Sequence, residues 1–227
     1  MIHVRPRYWQ LSPAATFGLK LYALVAMIAD HADWMLFAGS LGFHDTWGRT
    51  VFPVFAVLLA NNLARWGTPD RMTGDLPGRM ALFGGIAFGP YVYLQGSVLP
   101  LNIMFTLALA VMLCGLLQLR MYWMAGLLGL VAGAFVDYSW FGLLAVVLPW
   151  AAFRAGSHAL PAFSLACLLL TFVNGSLWAL AAVPLLGIAA YVQGHAPRWK
   201  WAFYVAYPAH LAVLAVIECF RNGTMTF

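Results

Sequence analysis

The sequence predicts an all-α protein: a polytopic transmembrane helix bundle of about nine spans with a cytoplasmic N-terminus. Three observations carry this expectation. Of 227 residues, 63% are hydrophobic and only 8% are charged, and the mean hydropathy is +0.83. The apolar residues gather into runs near the ~20 residues that a helix needs to cross hydrocarbon, several of them short. The basic residues sit singly or in small groups between those runs. A soluble domain carries about 25% charged residues because its surface must stay wet. The 12 basic and 7 acidic side chains here cannot cover such a surface.

Taken in order, the candidate spans are 17–38, 48–64, 80–97, 103–119, 121–136, 139–153, 159–174, 176–192 and 201–220. The first follows a polar stretch, Met1 to Pro13, that carries Arg5 and Arg7. No small-residue cleavage site closes it, so it reads as an uncleaved span rather than a secretory signal. The second lies between Arg49 and Arg65, and the third follows the basic loop Arg65 to Arg79. Asn102 opens the fourth and Arg120 follows it; Tyr122-Trp123 begins the fifth. The sixth runs from Asp137-Tyr138 to Arg154. The seventh and eighth meet at Asn174-Gly175 and also read as one re-entrant hairpin. The ninth lies between Lys200 and Arg221. Residues 1–227 read as a single integral membrane domain, in which no soluble module, low-complexity segment or obvious repeat is expected.

With the N-terminus inside and the chain alternating, Arg5, Arg7, Lys20, Arg65, Arg71, Arg79, Arg120, Arg154, Arg198 and Lys200 fall at cytoplasmic ends. Only Arg49 and Arg221 fall outside, the bias that positive-inside insertion produces. Aromatic residues gather near span ends: Tyr8-Trp9, Trp34, Tyr91, Tyr93, Tyr122-Trp123, Trp199 and Trp201. Gly85-x-x-x-Gly89 and Gly129-x-x-x-Gly133 suit close helix approach, and Pro53, Pro90 and Pro184 suit kinks or breaks. The net charge of +5 forms no stripe for nucleic acid. Cys114, Cys167 and Cys219 lie far apart inside apolar runs and read as small packing residues.

Ionised groups inside a membrane are costly, so each asks for a reason. The first span carries Ala29-Asp30-His31-Ala32-Asp33. His31 lies about 16 Å beyond Lys20 along a helix axis, past the midplane towards the outer face. Asp30 points elsewhere on the helix and should meet another helix rather than the His31 ring. Arg49 enters the second span from the same side, and Asp137-Tyr138 is also placed there. Asp30, His31, Arg49 and Asp137 are therefore expected near one depth. Such a group offers an imidazole for proton or acyl transfer, a carboxylate, and a guanidinium for an oxyanion. The bland alternative is paired charges that hold helices together.

A second polar group is Tyr204-x-x-Tyr207-Pro208-x-His210, with His210 midway along the last span. A hydrogen-bonded packing histidine is the alternative there. Asn102 and Thr106 suit capping or helix–helix bonding. Arg65, Arg71 and Arg79 suit either a phosphorylated cofactor or topology alone. Asp30, His31, Asp33, His44 and Asp45 have the residue types of a metal site but no motif spacing, so no metal is expected.

In chain order these motifs resemble the TraX family. The likeness starts at Leu19-Lys20-Leu21-x-Ala23-Leu24 and Met27-x-x-Asp30-His31, then Gly48-Arg49-x-x-Phe52-Pro53-x-Phe55. It continues through Arg79, Asn102-Ile103-x-Phe105-Thr106-Leu107 and Asp137-Tyr138 with Gly142. It ends at Phe203-Tyr204-x-x-Tyr207-Pro208-x-His210-Leu211. Where family members carry an acidic-Gly pair after the second span, this chain reads Ala60-Asn61-Asn62. The resemblance implies an inner-membrane acetyltransferase that moves acetyl from cytoplasmic acetyl-CoA to the N-terminal amine of a conjugative pilin subunit. His31 would then serve as general base or transient acetyl carrier, Asp30 would orient it or balance its charge, and Arg49 would hold the oxyanion. Arg65, Arg71 and Arg79 would hold the coenzyme A phosphates. Asp137, Tyr138, Asn102, Tyr207 and His210 are further candidate site residues. The competing readings are acyl transfer to a sugar or lipid, and a small proton-coupled transporter or structural subunit of a conjugation apparatus.

Overall fold

A computed structural model describes residues 11–156, 159–197, 199 and 201–223. The expectations placed on Arg5, Arg7, Tyr8, Trp9, Arg198 and Lys200 lie outside these described residues. Helix α1 (Pro13–Phe37) starts at Ser12, whose Oγ accepts the Ala15 N–H, with Pro13 in the first turn. A proline is tolerated there because its missing N–H would have had no helical partner. A 3-10 turn, Trp47–Thr50, leads into α2 (Val51–Trp66). A π turn, Arg71–Asp75, leads into α3 (Leu76–Gln95). Then come α4 (Ile103–Gln118), α5 (Tyr122–Ala132) with a 3-10 end at Gly133–Phe135, and α6 (Ser139–Ala155). The remaining elements are α7 (Ala159–Leu169), α8 (Thr171–Asn174), a 3-10 turn Trp178–Ala181 running into α9 (Ala182–Ala189), and α10 (Ala202–Arg221).

The described chain is all-helical; Leu101 and Val136 form an isolated bridge rather than a strand. Each of the nine apolar stretches coincides with helix. Two helices, Pro13–Phe37 and Ala202–Arg221, are long and apolar enough to cross a membrane. Other apolar segments are shorter, such as Tyr122–Phe135 and Trp178–Ala189. The first ends where Val136 turns extended, and the second begins only after the bend at residues 175–177.

Contacts fix the directions of the helices. Tyr22 on α1 meets Thr50 at the head of α2, oxygen to oxygen 2.6 Å, and Arg65 near the end of α2 lines a cleft with Ser12 and Pro13 at the start of α1, so α1 and α2 are antiparallel. Along α1, Phe17 meets Phe203, His31 meets His210, and Leu36 O accepts from Arg221. α10 therefore runs parallel to α1. The Ser12 hydroxyl donates to Val192 O at 2.7 Å, whereas Trp178 packs on Trp47, ring centroids 5.7 Å apart. The α9 segment thus starts beside the α1–α2 loop and finishes beside the start of α1. One end of the bundle gathers Ser12, Arg65 and Val192; the other gathers the α1–α2 loop, Trp178 and Arg221.

The centre is α2, α4 and α6, packed through small and medium side chains: Ala56, Ala60, Ala110, Val111, Cys114 and Val146 are all buried. Apolar side chains also face outward, among them Val25, Leu82, Ile86, Leu130, Ile188 and Val213, while Leu63 and Phe163 are fully buried. A close-packed interior under an apolar exterior is the arrangement expected when lipid solvates the outside of a helix bundle. The expected close approach at Gly85 and Gly89 is not made: nothing lies within 4 Å of a Cβ at either. Neighbouring Gly84 is the close-packed one, with Met104 and Phe105 3.0–3.2 Å from its Cβ position. A helix presents adjacent residues 100° apart, so the close approach falls on the face of Gly84 and not on that of Gly85 and Gly89. Pro53 and Pro184 fall in the first turns of α2 and α9, and Pro90 lies inside α3.

Candidate functional site

The site is built on the turn that follows α1. The helix ends at Ala38 in the left-handed region (φ 52°), and Gly39 and Gly42 also take positive φ (74° and 71°). This reversal folds the chain back over the last turn of α1. The carboxylate of buried Asp33 then accepts the backbone N–H of Leu41 at 3.0 Å and of His44 at 2.9 Å. So anchored, His44 stacks on Trp34 (centroids 4.7 Å) and its Nδ1 meets Asp30 Oδ1 at 2.8 Å. The next contact in the chain is Arg49 Nη2, 3.1 Å from His44 Nε2 and 3.2 Å from Asp45 Oδ1. Arg49 can only donate, so His44 Nε2 is the acceptor and His44 Nδ1 is the N–H that Asp30 accepts. Gly48 permits this closeness: a Cβ there would lie 2.0 Å from Asp30 Oδ1.

His31 faces another way. Its Nδ1 lies 2.6 Å from Nε2 of His210, with the two rings nearly parallel (2°). His31 is partly exposed, whereas His210 and Tyr207 are buried in α10. Tyr207 meets the His210 ring edge-on, centroids 5.5 Å apart. Asp30, expected to orient His31, hydrogen-bonds His44 instead; its charge still falls within electrostatic range of His31.

Asp137 and Tyr138 complete the group from the corner before α6. Leu101 N–H donates to Phe135 O (2.7 Å) and Asp137 N–H to Leu101 O (2.9 Å), which ties the corner to the start of α4. Thr106 Oγ1 donates to Asp137 O at 2.8 Å. Tyr138 and Ser139 both take left-handed φ (58° and 50°), a strained conformation for residues with a Cβ. Tyr138 stacks on Phe52, centroids 4.4 Å apart, and its hydroxyl reaches Arg49. Asp137 lies in the fields of Arg49 and Asp30, and Tyr207 in that of Asp137. Arg49 Nε is buried and has no hydrogen-bond partner among the described residues.

The structure therefore draws Asp30, His31, Arg49, Asp137, Tyr138, Tyr207 and His210 into one region. Asn102 stands apart in a capping role: its Oδ1 accepts Met104 N–H and its Nδ2 donates to Gly84 O at 2.9 Å. Arg65, Arg71 and Arg79 lie around the α2–α3 connection. Arg65 is about 24 Å from Arg49 along the helix axis, from sixteen residues of rise. It lies over Trp66 and lines a cleft with Ser12, Gln193 and His195. Arg71 donates to Trp66 O, and Arg79 pairs with Asp75 at 2.8 Å. The sequence suggested His44 only as a metal ligand, Asp33 as a metal ligand and one of the charges of the first span, and gave His195 no role. The signal for the first two was the pair Gly39 and Gly42, which lets the loop return onto α1. Among the described residues, no group of three or more His, Cys, Asp or Glu side chains is arranged around a common centre for a metal ion.

The sequence model described as TraX protein matches residues 16–218. No curated protein and no solved structure matches.

Proposed function

The chain belongs to the TraX family, and from this premise we propose that it is a multi-pass inner-membrane acetyltransferase. Its substrates are acetyl-CoA on the cytoplasmic side and the N-terminal amine of a pilin subunit at the outer face. The proposal includes nine spans and a cytoplasmic N-terminus. The observation that carries it is a polar group assembled inside an apolar bundle: an imidazole and a buried guanidinium that each keep one nitrogen without a hydrogen-bond partner among the described residues, with carboxylates nearby. An intramembrane set of ionisable groups marks a functional site by default, and this one has the parts that acyl transfer to an amine requires.

In this reading the acceptor nitrogen attacks the thioester carbonyl of acetyl-CoA. The N–C bond forms while His31 Nε2 takes the amine proton. Charge gathers on the carbonyl oxygen, and Arg49 Nε–H is positioned to donate to it. The C–S bond then breaks, and the coenzyme A thiolate leaves with the proton that His31 returns. A transient acetyl-His31 would divide the same balance into two steps. Arg65, Arg71 and Arg79 would receive the coenzyme A phosphates at the opposite end of α2. A second reading, a proton-coupled carrier, is favoured by one contact, because the short His31–His210 hydrogen bond could pass a proton between helices.

The test is transfer from labelled acetyl-CoA to an N-terminal pilin peptide by purified protein, wild type against His31→Ala. A general base contributes about 10²–10⁴-fold, and a loss of that size is expected with unchanged elution and thermal unfolding. Full activity in a folded His31→Ala protein would remove His31 from the centre. Label on a sugar or lipid but not the peptide would change the acceptor. Absence of transfer to any acceptor, with proton-coupled flux in vesicles, would favour the carrier.

A further inference from the structure

We infer that His210 is a positioning residue that fixes the tautomer of His31, so that Nε2 of His31 is the atom that accepts the proton. The argument uses the direction of two hydrogen bonds. His210 Nδ1 lies 3.0 Å from the carbonyl oxygen of Ala206, one turn earlier in α10. A carbonyl only accepts, so His210 Nδ1 carries the hydrogen. A neutral imidazole has one N–H, so His210 Nε2 carries the lone pair. That nitrogen faces His31 Nδ1 at 2.6 Å, so the hydrogen of this contact belongs to His31 Nδ1. His31 in turn keeps its lone pair on Nε2, for which no hydrogen-bond partner is found among the described residues. The backbone of α10 thereby sets, through one ring, the reactive nitrogen of another ring on α1.

The packing supports a fixed ring rather than an incidental contact. His210 is buried, its ring meets Tyr207 edge-on with centroids 5.5 Å apart, and the imidazoles lie within 2° of parallel. This is the part that a carboxylate plays when it holds a histidine base by its second nitrogen. Asp30 would be the obvious residue for it in sequence, but it is engaged with His44. When His31 takes a proton at Nε2, its Nδ1–H bond to His210 strengthens, since the donor is then a cation.

The kinetic consequence rests on the proposed acetyl transfer; the tautomer does not. The test is therefore 15N NMR of the full-length protein, histidine-labelled in a lipid nanodisc, with assignments from the His31→Ala and His210→Gln spectra. In wild type, His31 is expected with Nδ1 protonated and Nε2 bare. His210→Gln supplies a carbonyl oxygen as acceptor and should retain that pattern. His210→Leu removes the acceptor and should give a mixture of tautomers. With acetyl-CoA and peptide, His210→Leu should lower kcat on the order of 10²-fold with KM for acetyl-CoA unchanged, and His210→Gln should restore most of it. A protonated Nε2 on wild-type His31 would overturn the inference, as would an unchanged pattern in His210→Leu. If His210→Leu does not fold, the wild-type and His210→Gln spectra still decide. The expected tautomers with no acetyl transfer from wild type would sink the acetyltransferase reading and leave the positioning role standing.

Discussion

Asp33 shows how a carboxylate is accommodated among apolar helices. It is fully buried and spends both oxygens on the backbone N–H groups of Leu41 and His44. Asp33→Ala would remove two hydrogen bonds that hold a partly exposed loop, each worth on the order of 1 kcal/mol. Thermal unfolding in detergent should show a lower midpoint, and limited proteolysis should cut the loop from Ala38 to Thr46 faster. Gly48 tests the neighbouring contact. Gly48→Ala would put a methyl 2.0 Å from Asp30 Oδ1, whereas nothing lies within 4 Å of a Cβ at Gly18. Acetyl transfer should fall in Gly48→Ala and be unaffected in Gly18→Ala; equal activities would free Asp30 and His44 from any part in the site. At this scale the sequence was informative where a charge interrupts an apolar run, as at Asp30, His31 and Arg49. It was silent on partners: that Asp30 pairs with His44 and His31 with His210 depends on side-chain direction and on a loop reversal. Gly39 and Gly42 mark the reversal, but not which side chains it brings together.

Hydrogen-bond patterns, rather than hydropathy, decide where elements end. All nine apolar stretches were legible because apolar length persists whatever the ladder does. The breaks were not, since Gly133–Phe135 and Trp178–Ala181 stay apolar while their bonds shift to 3-10. The corner before α6 is the sharpest case. Two successive residues with side chains hold left-handed φ there, and nothing in Asp137-Tyr138-Ser139 announces it. The corner is held by Thr106 and by the exchange between Leu101 and residues 135–137. It is also pinned from below by Gly142, where a Cβ would stand 2.8 Å from Tyr138 Cβ and 3.0 Å from Thr106 Cγ2. Gly142→Val should therefore cost about 1–3 kcal/mol through overpacking. The expected result is a lower unfolding midpoint together with reduced acetyl transfer, because Tyr138 and Asp137 move with the corner. A midpoint equal to wild type would show that α6 and α4 have room to separate.

For the whole molecule, the two ends differ in charge. Arg65, Arg71, Arg79 and Arg154 lie at or near helix ends that alternate with those bearing Arg49 and Arg221, which is the asymmetry that sets orientation during insertion. The proposed topology can be read with single cysteines after Cys114, Cys167 and Cys219 are replaced by alanine. Ser40→Cys, in the exposed α1–α2 loop, should react with a membrane-impermeant maleimide in spheroplasts. Gly74→Cys, in the α2–α3 connection, should react only after permeabilisation. The reverse pattern would invert the molecule and place the imidazole pair nearer the cytoplasm. The parallel pairing of α1 with α10 has a further consequence, for biosynthesis. His31 and His210 are separated by 179 positions in the chain, so the ribosome makes the first half of the pair long before the second. A nascent chain halted before Ala202 would already have its central helices inserted and would still lack the His31–His210 pair. Maturation of the site would coincide with the arrival of the last helix, and a separately expressed α10 would be the piece able to supply it in trans.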